Sequence, residues 1–502
     1  MELHRSSGIL LHLSSLPGMF GIGDVGGSAY HFVDWLVDAG QSLWQLLPLC
    51  PIGYGNSPYM ALSAFATEPL FIDLVELKEQ GWLSESDLQF SENNPHQVDY
   101  ERVTSVKMNL LRKASQNFRI QRTSLHYSFE EFCSRESYWL EDYSLFQSLN
   151  EQYEGIEWTS WESSLVRREK SALEKATKEF QQQIDFHKFI QWNFFRQFKK
   201  LKSYANERGI QIIGDLPIFV AHHSADVWAN QHLFYLDEDG NPTFVAGVPP
   251  DYFSNTGQRW GNPLYRWDVM ESSGYAWWIS RFKKVLELYD IIRIDHFRGF
   301  ESYWEIPAEE ETAVNGVWRK GPGEKFFKAV QQQCKSLQII AEDLGIITKE
   351  VHALRKKLGY PGMRVLQFAF GGGTDNEYLP HRYERNTIVY TGTHDNDTTR
   401  GWYSKASEHE RDFVRRYCQT DGHEIHWDLI RLALMSIADF ALIPFQDVLG
   451  LDSSARMNTP GTVEGNWRWR FSWDQVPPYL GNRLCELSGL YERCAPSKLH
   501  LL

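Results

Sequence analysis

Cysteine is scarce: six occur in 502 residues, none in a Cys-x-x-Cys pair, and Cys485 and Cys494, the closest two, lie nine positions apart. That excludes a zinc ribbon and a dithiol redox motif and suits a reducing, cytoplasmic compartment. No run approaches the about 18 consecutive apolar residues of a membrane span. The apolar stretch after Arg5 is interrupted by His12, Ser14 and Ser15, so it reads as a strand rather than a secretory signal. A Gly-x-x-x-x-Gly-Lys phosphate loop is missing, and Gly371-Gly-Gly is an isolated turn, so no nucleotide cofactor is indicated. Repeats and low-complexity tracts are absent. Positive charge is in deficit, with 51 Lys and Arg against 65 Asp and Glu and a net charge of −14. Such a chain repels phosphate backbones, which disfavours nucleic acid as a partner. What is abundant is aromatic: 19 Trp, 23 Tyr and 30 Phe, or 14% of the residues. That exceeds the needs of a core and leaves rings to stack on a ligand.

Eight short apolar runs, most closed by a polar or charged residue, recur along the chain: Gly8–Leu13, Ser42–Leu47, Ile210–Asp215, Asp290–Asp295, Leu337–Glu342, Met363–Phe368, Asn386–Thr391 and Phe440–Phe445. Continuous runs of this length suit parallel strands covered on both faces. Between most of them lie helical periodicities, at Ser28–Ala39, Tyr275–Tyr289, Glu324–Lys335, Thr348–Leu358 and Trp427–Ala438. Eight strands alternating with helices predict a single (β/α)₈ barrel over 1–502, with a doubly wound open sheet as the alternative. Residues 75–185 are too long for one crossover helix and carry amphipathic stretches at Leu110–Phe118, Tyr127–Cys133 and Leu173–Ile184, so a mostly helical insertion is expected after the second strand. The segment 245–268, with Gly247, Pro249, Pro250, Gly257, Trp260 and Pro263, reads as a long turn-rich loop too aromatic for a solvated linker.

Barrel chemistry sits at the C-terminal ends of strands. Those ends present Asp215, Asp295 within Arg293-Ile-Asp-His296, Glu342 followed by Asp343, and Asp395 within His394-Asp-Asn. Whole βα units separate them, so they are distant in sequence yet converge on one mouth. Arg293 and Asp295 share a face by strand alternation, which predicts an ionised Asp295 and leaves the proton on Glu342. A low-pKa carboxylate beside a raised one is the division that retaining glycosidic cleavage needs. Each residue has a structural reading too, as a helix cap, surface ion pair or core histidine. A metal site built on Asp295, His296, Asp395 and His394 has the right ligand types, but each His adjoins its Asp in an extended segment, and neither His-x-His nor His-Glu-x-x-His accompanies them.

Arg293-Ile-Asp-His-Phe-Arg298, Ala341-Glu-Asp-Leu-Gly345 and Gly392-Thr-His-Asp-Asn396 closely resemble the 4-α-glucanotransferases, the amylomaltase or disproportionating-enzyme family (glycoside hydrolase family 77), related to the α-amylases. The resemblance extends through Gly53-Tyr-Gly-Asn-Ser57-Pro-Tyr59, Gly214-Asp-Leu-Pro-Ile218, Gly257-Gln-Arg-Trp260-Gly-Asn-Pro263 and Asn458-Thr-Pro-Gly461. It implies Asp295 as nucleophile, Glu342 as general acid/base and Asp395 as transition-state stabiliser. It also implies sugar binding by Arg293, His296, His394, Asp215, Ser57, Asp343 and Asn458, with Tyr59 and Trp260 as aromatic platforms. The implied partners are an α-1,4-glucan donor, from starch, glycogen or maltooligosaccharide, and a glucose or maltooligosaccharide acceptor. No metal or other cofactor is implied. At Thr67-Glu68-Pro69 the chain departs from the Gly-Asn-Pro of many relatives. A retaining α-glucan hydrolase and a non-catalytic glucan-binding protein are the rival readings.

Overall fold

The computed structural model describes residues 4–90, 94–121, 124–250, 254–335 and 337–494. Its strands are β1 (Ser6–Leu10), β2 (Leu43–Gln45), β3 (Gln211–Pro217), β4 (Phe244–Val248), β5 (Gln258–Pro263), β6 (Ile291–Asp295), β7 (Ser302–Pro307), β8 (Val317–Lys320), β9 (Ile339–Ala341), β10 (Gly362–Val365), β11 (Thr387–Tyr390) and β12 (Phe440–Pro444). Eight of them make one parallel sheet in the order β10-β11-β12-β1-β2-β3-β6-β9. The Ala341 N–H donates to the Pro361 carbonyl at 2.9 Å, joining the two ends into a nearly closed (β/α)₈ barrel. Each of the eight apolar runs overlaps one of these strands, with β1, β3 and β10 extending past the predicted bounds.

The barrel owes its stability to two apolar layers. Inside, Leu43, Ile213, Ile291, Ile340, Met363 and Ile388 pack from successive strands, and the Tyr390 hydroxyl crosses to Gln45 Oε1 at 2.8 Å. Outside, strand residues meet helices Gly27–Asp38, Ala276–Leu288, Gly323–Gln333, Lys349–Leu358 and Ile425–Met435. Gly359, left-handed at φ 72°, closes Lys349–Leu358 in the way glycine closes helices. Between the second and third barrel strands run Leu74–Glu79, Tyr100–Ile120, Leu125–Arg135, Ser137–Gln152, Ser163–Val166 and Lys170–Glu179. Residue 185 falls inside the 27-residue helix Gln181–Glu207, whose Phe194, Phe198 and Leu201 are buried before β3. The expected helix Leu173–Ile184 is two helices, because Phe180 at φ −100°, ψ 20° breaks it. None of the described helices is long and apolar enough to cross a membrane.

The segment 245–268 is more regular than its glycines and prolines indicate. It carries most of β4 and all of β5, which join β7 and β8 in an antiparallel sheet ordered β5-β4-β7-β8, and it ends in the first turn of helix Trp267–Ser272. A register shift between Val245 and Gly247, and glycines 257 and 261 at positive φ, hide the two-residue alternation that would mark a hairpin. Residues 251–253 lie outside the described residues. Thr67-Glu68-Pro69 makes its own turn: Glu68 accepts the Ile52 and Leu70 N–H groups at 2.8 and 3.0 Å, and Thr67 N–H donates to Gln191 at 2.8 Å.

Gly214 illustrates how tightly strand and helix layers meet. A Cβ there would stand 2.0 Å from Cδ2 of the buried Tyr289 ring. Gly214→Ala therefore forces that ring aside, and urea unfolding should show a loss of about 1–3 kcal/mol. An unchanged midpoint would refute this close packing.

Candidate active site

The parallel register assembles the site. Asp215 on β3 is the register partner of Arg293 on β6, and Arg293 is that of Ile340 on β9, so Glu342 just past β9 stands level with Asp295. Alternation turns Arg293 and Asp295 to the same face. Arg293 Nη1 reaches Asp215 Oδ1 and Oδ2 at 2.7 and 2.6 Å and Asp295 Oδ1 at 3.1 Å. The Tyr59 hydroxyl donates to Asp215 Oδ2 at 2.8 Å. Glu342 takes the His296 N–H on Oε2 at 2.7 Å and the Leu344 N–H on Oε1 at 2.8 Å. Asp395, on the loop after β11, is fixed from another segment: Asn458 Nδ2 donates to its Oδ1 at 2.6 Å, and Arg456 holds its carbonyl.

Aromatic side chains flank these groups. The Tyr59 and His394 rings stack at 5.0 Å and 14°, and Trp467 lies against both at 5.8 and 5.9 Å. Ser57 serves this loop by accepting the Tyr59 N–H at 3.2 Å. Trp260, on β5, meets His296 edge-on at 4.8 Å and 86°. His296 itself sits left-handed at φ 52°, ψ 49°, an uncommon and strained state for a residue with a Cβ. That conformation overrides strand alternation, sends its N–H to Glu342 and brings its ring to Trp260. Its buried Nε2 has no hydrogen-bond partner. Burial pushes His296 down to about 3 and lowers His394 as well, so both imidazoles are neutral at pH 7.

Asp343 does not join the group. It follows Glu342 in extended chain and so faces the other way, where its fully buried carboxylate meets Arg355 Nε at 3.0 Å and the Met363 N–H at 2.7 Å. It secures the strand end from behind. Arg456 and Trp467 were not singled out from the sequence; only their place in the stretch resembling the family drew attention to that region. Among the described residues no group of His, Cys, Asp and Glu is arranged to hold a metal ion. Gly21-Ile-Gly-Asp-Val-Gly26 has the spacing of a dinucleotide-binding turn, but β1 ends at Leu10 and Asp24 Oδ1 already accepts the Gly26 N–H at 3.0 Å.

The electrostatics correct one expectation. Arg293 is committed mainly to Asp215, so Asp295 is not simply a low-pKa partner of a free guanidinium. Burial pushes Asp295 up to about 8 against the pull of Arg293, and Asp215, Glu342 and Asp395 add to the rise. Burial raises Glu342 too, against Arg293 and its two backbone N–H donors. The cluster therefore retains a proton between these two carboxyls near neutrality. Asp295 keeps 29% of its side chain open to the cleft. A carboxyl raised in the folded state favours the fold below its ordinary pKa of about 4, and that contribution is lost as pH rises through about 8. Asp295→Asn should accordingly flatten the fall in thermal unfolding temperature between those pH values. Parallel curves for variant and wild type would count against the raised carboxyl.

A family model described as 4-alpha-glucanotransferase, glycoside hydrolase family 77, matches residues 11–475. The 4-alpha-glucanotransferase of Thermus thermophilus is 49% identical, with 98% of this chain and 100% of that protein covered. The rice enzyme 4-alpha-glucanotransferase DPE1, chloroplastic/amyloplastic, is 46% identical over 97% of this chain and 84% of its own. Among solved structures, the amylomaltase from Streptococcus agalactiae in complex with acarbose superposes with a TM-score of 0.95 at 37% identity, covering 98% of this chain and 100% of that one. The Corynebacterium glutamicum amylomaltase, at 17% identity and a TM-score of 0.79 over 96% of this chain and 75% of its own, shares the fold. With its barrel, its converging carboxylates and these full-length similarities, the chain belongs to the 4-α-glucanotransferase family of glycoside hydrolase family 77.

Proposed function

We propose that this 4-α-glucanotransferase moves α-1,4-glucan segments between chains by a double displacement with retention. Asp295 attacks the anomeric carbon while Glu342 protonates the leaving glycosidic oxygen, and a covalent glucosyl–enzyme forms. Glu342, now a carboxylate, takes the proton of an incoming 4-hydroxyl, which displaces Asp295. Charge balance favours this order, because the one proton retained near neutrality goes to Glu342 as Asp295 is committed to attack. Asp395, oriented by Asn458, accepts sugar hydroxyls as the ring distorts. Neutral His296 and His394 offer further hydrogen bonds, and Arg293 with Asp215 holds Asp295 in line.

The observation that carries this reading is Asp295, tied to Arg293, standing level with a Glu342 whose oxygens are both fixed by backbone N–H groups. The donor is a starch, glycogen or maltooligosaccharide chain and the acceptor a glucose or maltooligosaccharide. No cofactor takes part. The cysteine usage suits a reducing cytoplasm. Water is disfavoured because an acceptor sugar stacked on Trp260 and Tyr59 is held next to the intermediate. The segment 245–268, with Trp260 on β5, acts as the active-site loop, and the helices of 75–185 stabilise its surroundings.

Maltotriose separates the readings. Transfer makes glucose together with longer oligosaccharides, hydrolysis makes a steady gain of reducing ends, and a pure binder makes neither. Glu342→Gln and Asp295→Asn should each lower turnover by about 10²–10⁴-fold. Wild-type rates in Glu342→Gln would remove it from the chemistry. Trp260→Ala should lower transfer more than hydrolysis, and an unchanged ratio of the two would discard the stacking explanation.

A further inference from the structure

A second aromatic surface lies beside the loop that carries Tyr59. A groove of about 300 Å³ opens between helix Ser137–Gln152, helix Ala225–Ala229 and the start of helix Ala276–Leu288. Its size is at the lower end of the range for small-ligand sites, about 300–1,000 Å³. One wall is made of rings: Phe65 meets Tyr138 edge-on at 6.0 Å, Trp277 edge-on at 5.7 Å and Trp139 in a parallel offset at 6.3 Å. The wall is rigid, since Trp139 Nε1 donates to Glu136 Oε2 at 2.7 Å and the buried Lys284 pairs with that carboxylate. At the rim, by contrast, Tyr138 is 53% exposed.

The polar lining has a consistent character. Asp142, Asp226, Asn230, His232 and Ser280 border the groove, and neither Lys nor Arg does. Asn230 Nδ2 donates to the Asp226 carbonyl at 3.0 Å, and among the described residues its Oδ1 and the His232 and Ser280 side chains have no hydrogen-bond partner. Asp142 is already paired with Arg168 Nη2 at 2.5 Å, and Asp226 has no ion-pair partner among the described residues, so the lining offers a phosphate or other anion no free cation. Flat apolar faces with unpaired hydroxyl, amide and imidazole groups complement an uncharged polyol that has apolar ring faces of its own, which describes a pyranose chain. The groove is also tied to the cleft. Ser63 lies on the loop of Tyr59, Ala225 N–H donates to the Leu62 carbonyl at 2.9 Å, and Asp226 Oδ2 accepts the Ala64 N–H at 2.7 Å.

We propose that this groove is a second glucan-binding site, which holds a remote stretch of an α-glucan while its end is processed at Asp295. The proposal rests on the glucan-transfer reading for its choice of ligand. Two units of one chain bound at linked sites raise the effective concentration of the reacting end, so long glucans gain and short ones do not.

Native electrophoresis through gels with and without amylose reads binding directly. Tyr138→Ala removes the exposed ring, and Ala276→Arg, at an exposed lining position, projects a charged side chain into the rim. Each should weaken amylose retardation about fivefold and raise KM for amylose, with maltotriose turnover and unfolding temperature unchanged. Wild-type retardation in both variants overturns the proposal. So does a parallel loss of maltotriose turnover, which would make the groove part of the catalytic cleft. Retardation that depends on Tyr138 in a protein that does not disproportionate maltotriose keeps the groove and fells the catalytic reading instead.

Discussion

The Arg293 guanidinium is the interaction on which the site depends. It is buried, charged and shared by Asp215 and Asp295, and a buried cation without such partners would be prohibitively unstable. Its position follows from the pairing of β3 with β6, which sets Asp215 directly beside it. Strand register and the charge of this cluster are therefore one problem: a slip of the register by a residue would turn Arg293 to the opposite face and leave both carboxylates unbalanced.

From that pair the remaining features follow by proximity. One cation among Asp215, Asp295, Glu342 and Asp395 leaves a surplus of negative charge, which burial turns into a retained proton. The left-handed turn at His296 delivers an N–H to Glu342 and a neutral ring to Trp260 in one move. The antiparallel sheet β5-β4-β7-β8 carries Trp260 there, and the segment from Arg456 to Trp467 closes the other flank by gripping Asp395 and the Tyr59–His394 stack. Apart from this cleft, most rings pack in the core: Trp44, Trp82, Trp158, Trp228 and Trp278 are fully buried. The Phe65–Tyr138–Trp277 wall is a third use of aromatic surface, partly open to solvent and joined to the cleft through one loop.

Much of the fold was legible because a parallel strand covered on both faces has to be apolar along its whole length, and a carboxylate that ends such a run is conspicuous. Asp215, Asp295 and Glu342 were found this way. Asp343 was misplaced because family likeness at a dipeptide was followed past the alternation rule, which allows only one of two adjacent carboxylates into the cleft. The β4–β5 hairpin was hidden by a bulge and glycines that erase its period. Helix Leu173–Ile184 concealed a break, since amphipathic spacing continues across Phe180.

What the sequence by itself determined was the barrel class, the strand ends where the carboxylates converge and the glucanotransferase resemblance. These depend on local pattern: apolar runs, helical period and short motifs. The tertiary structure alone decided how one guanidinium is divided between two carboxylates, which segment steadies Asp395, and that Phe65, Tyr138 and Trp277 meet across more than two hundred residues of chain. Such contacts depend on register and on packing between distant segments, and no local spacing encodes either.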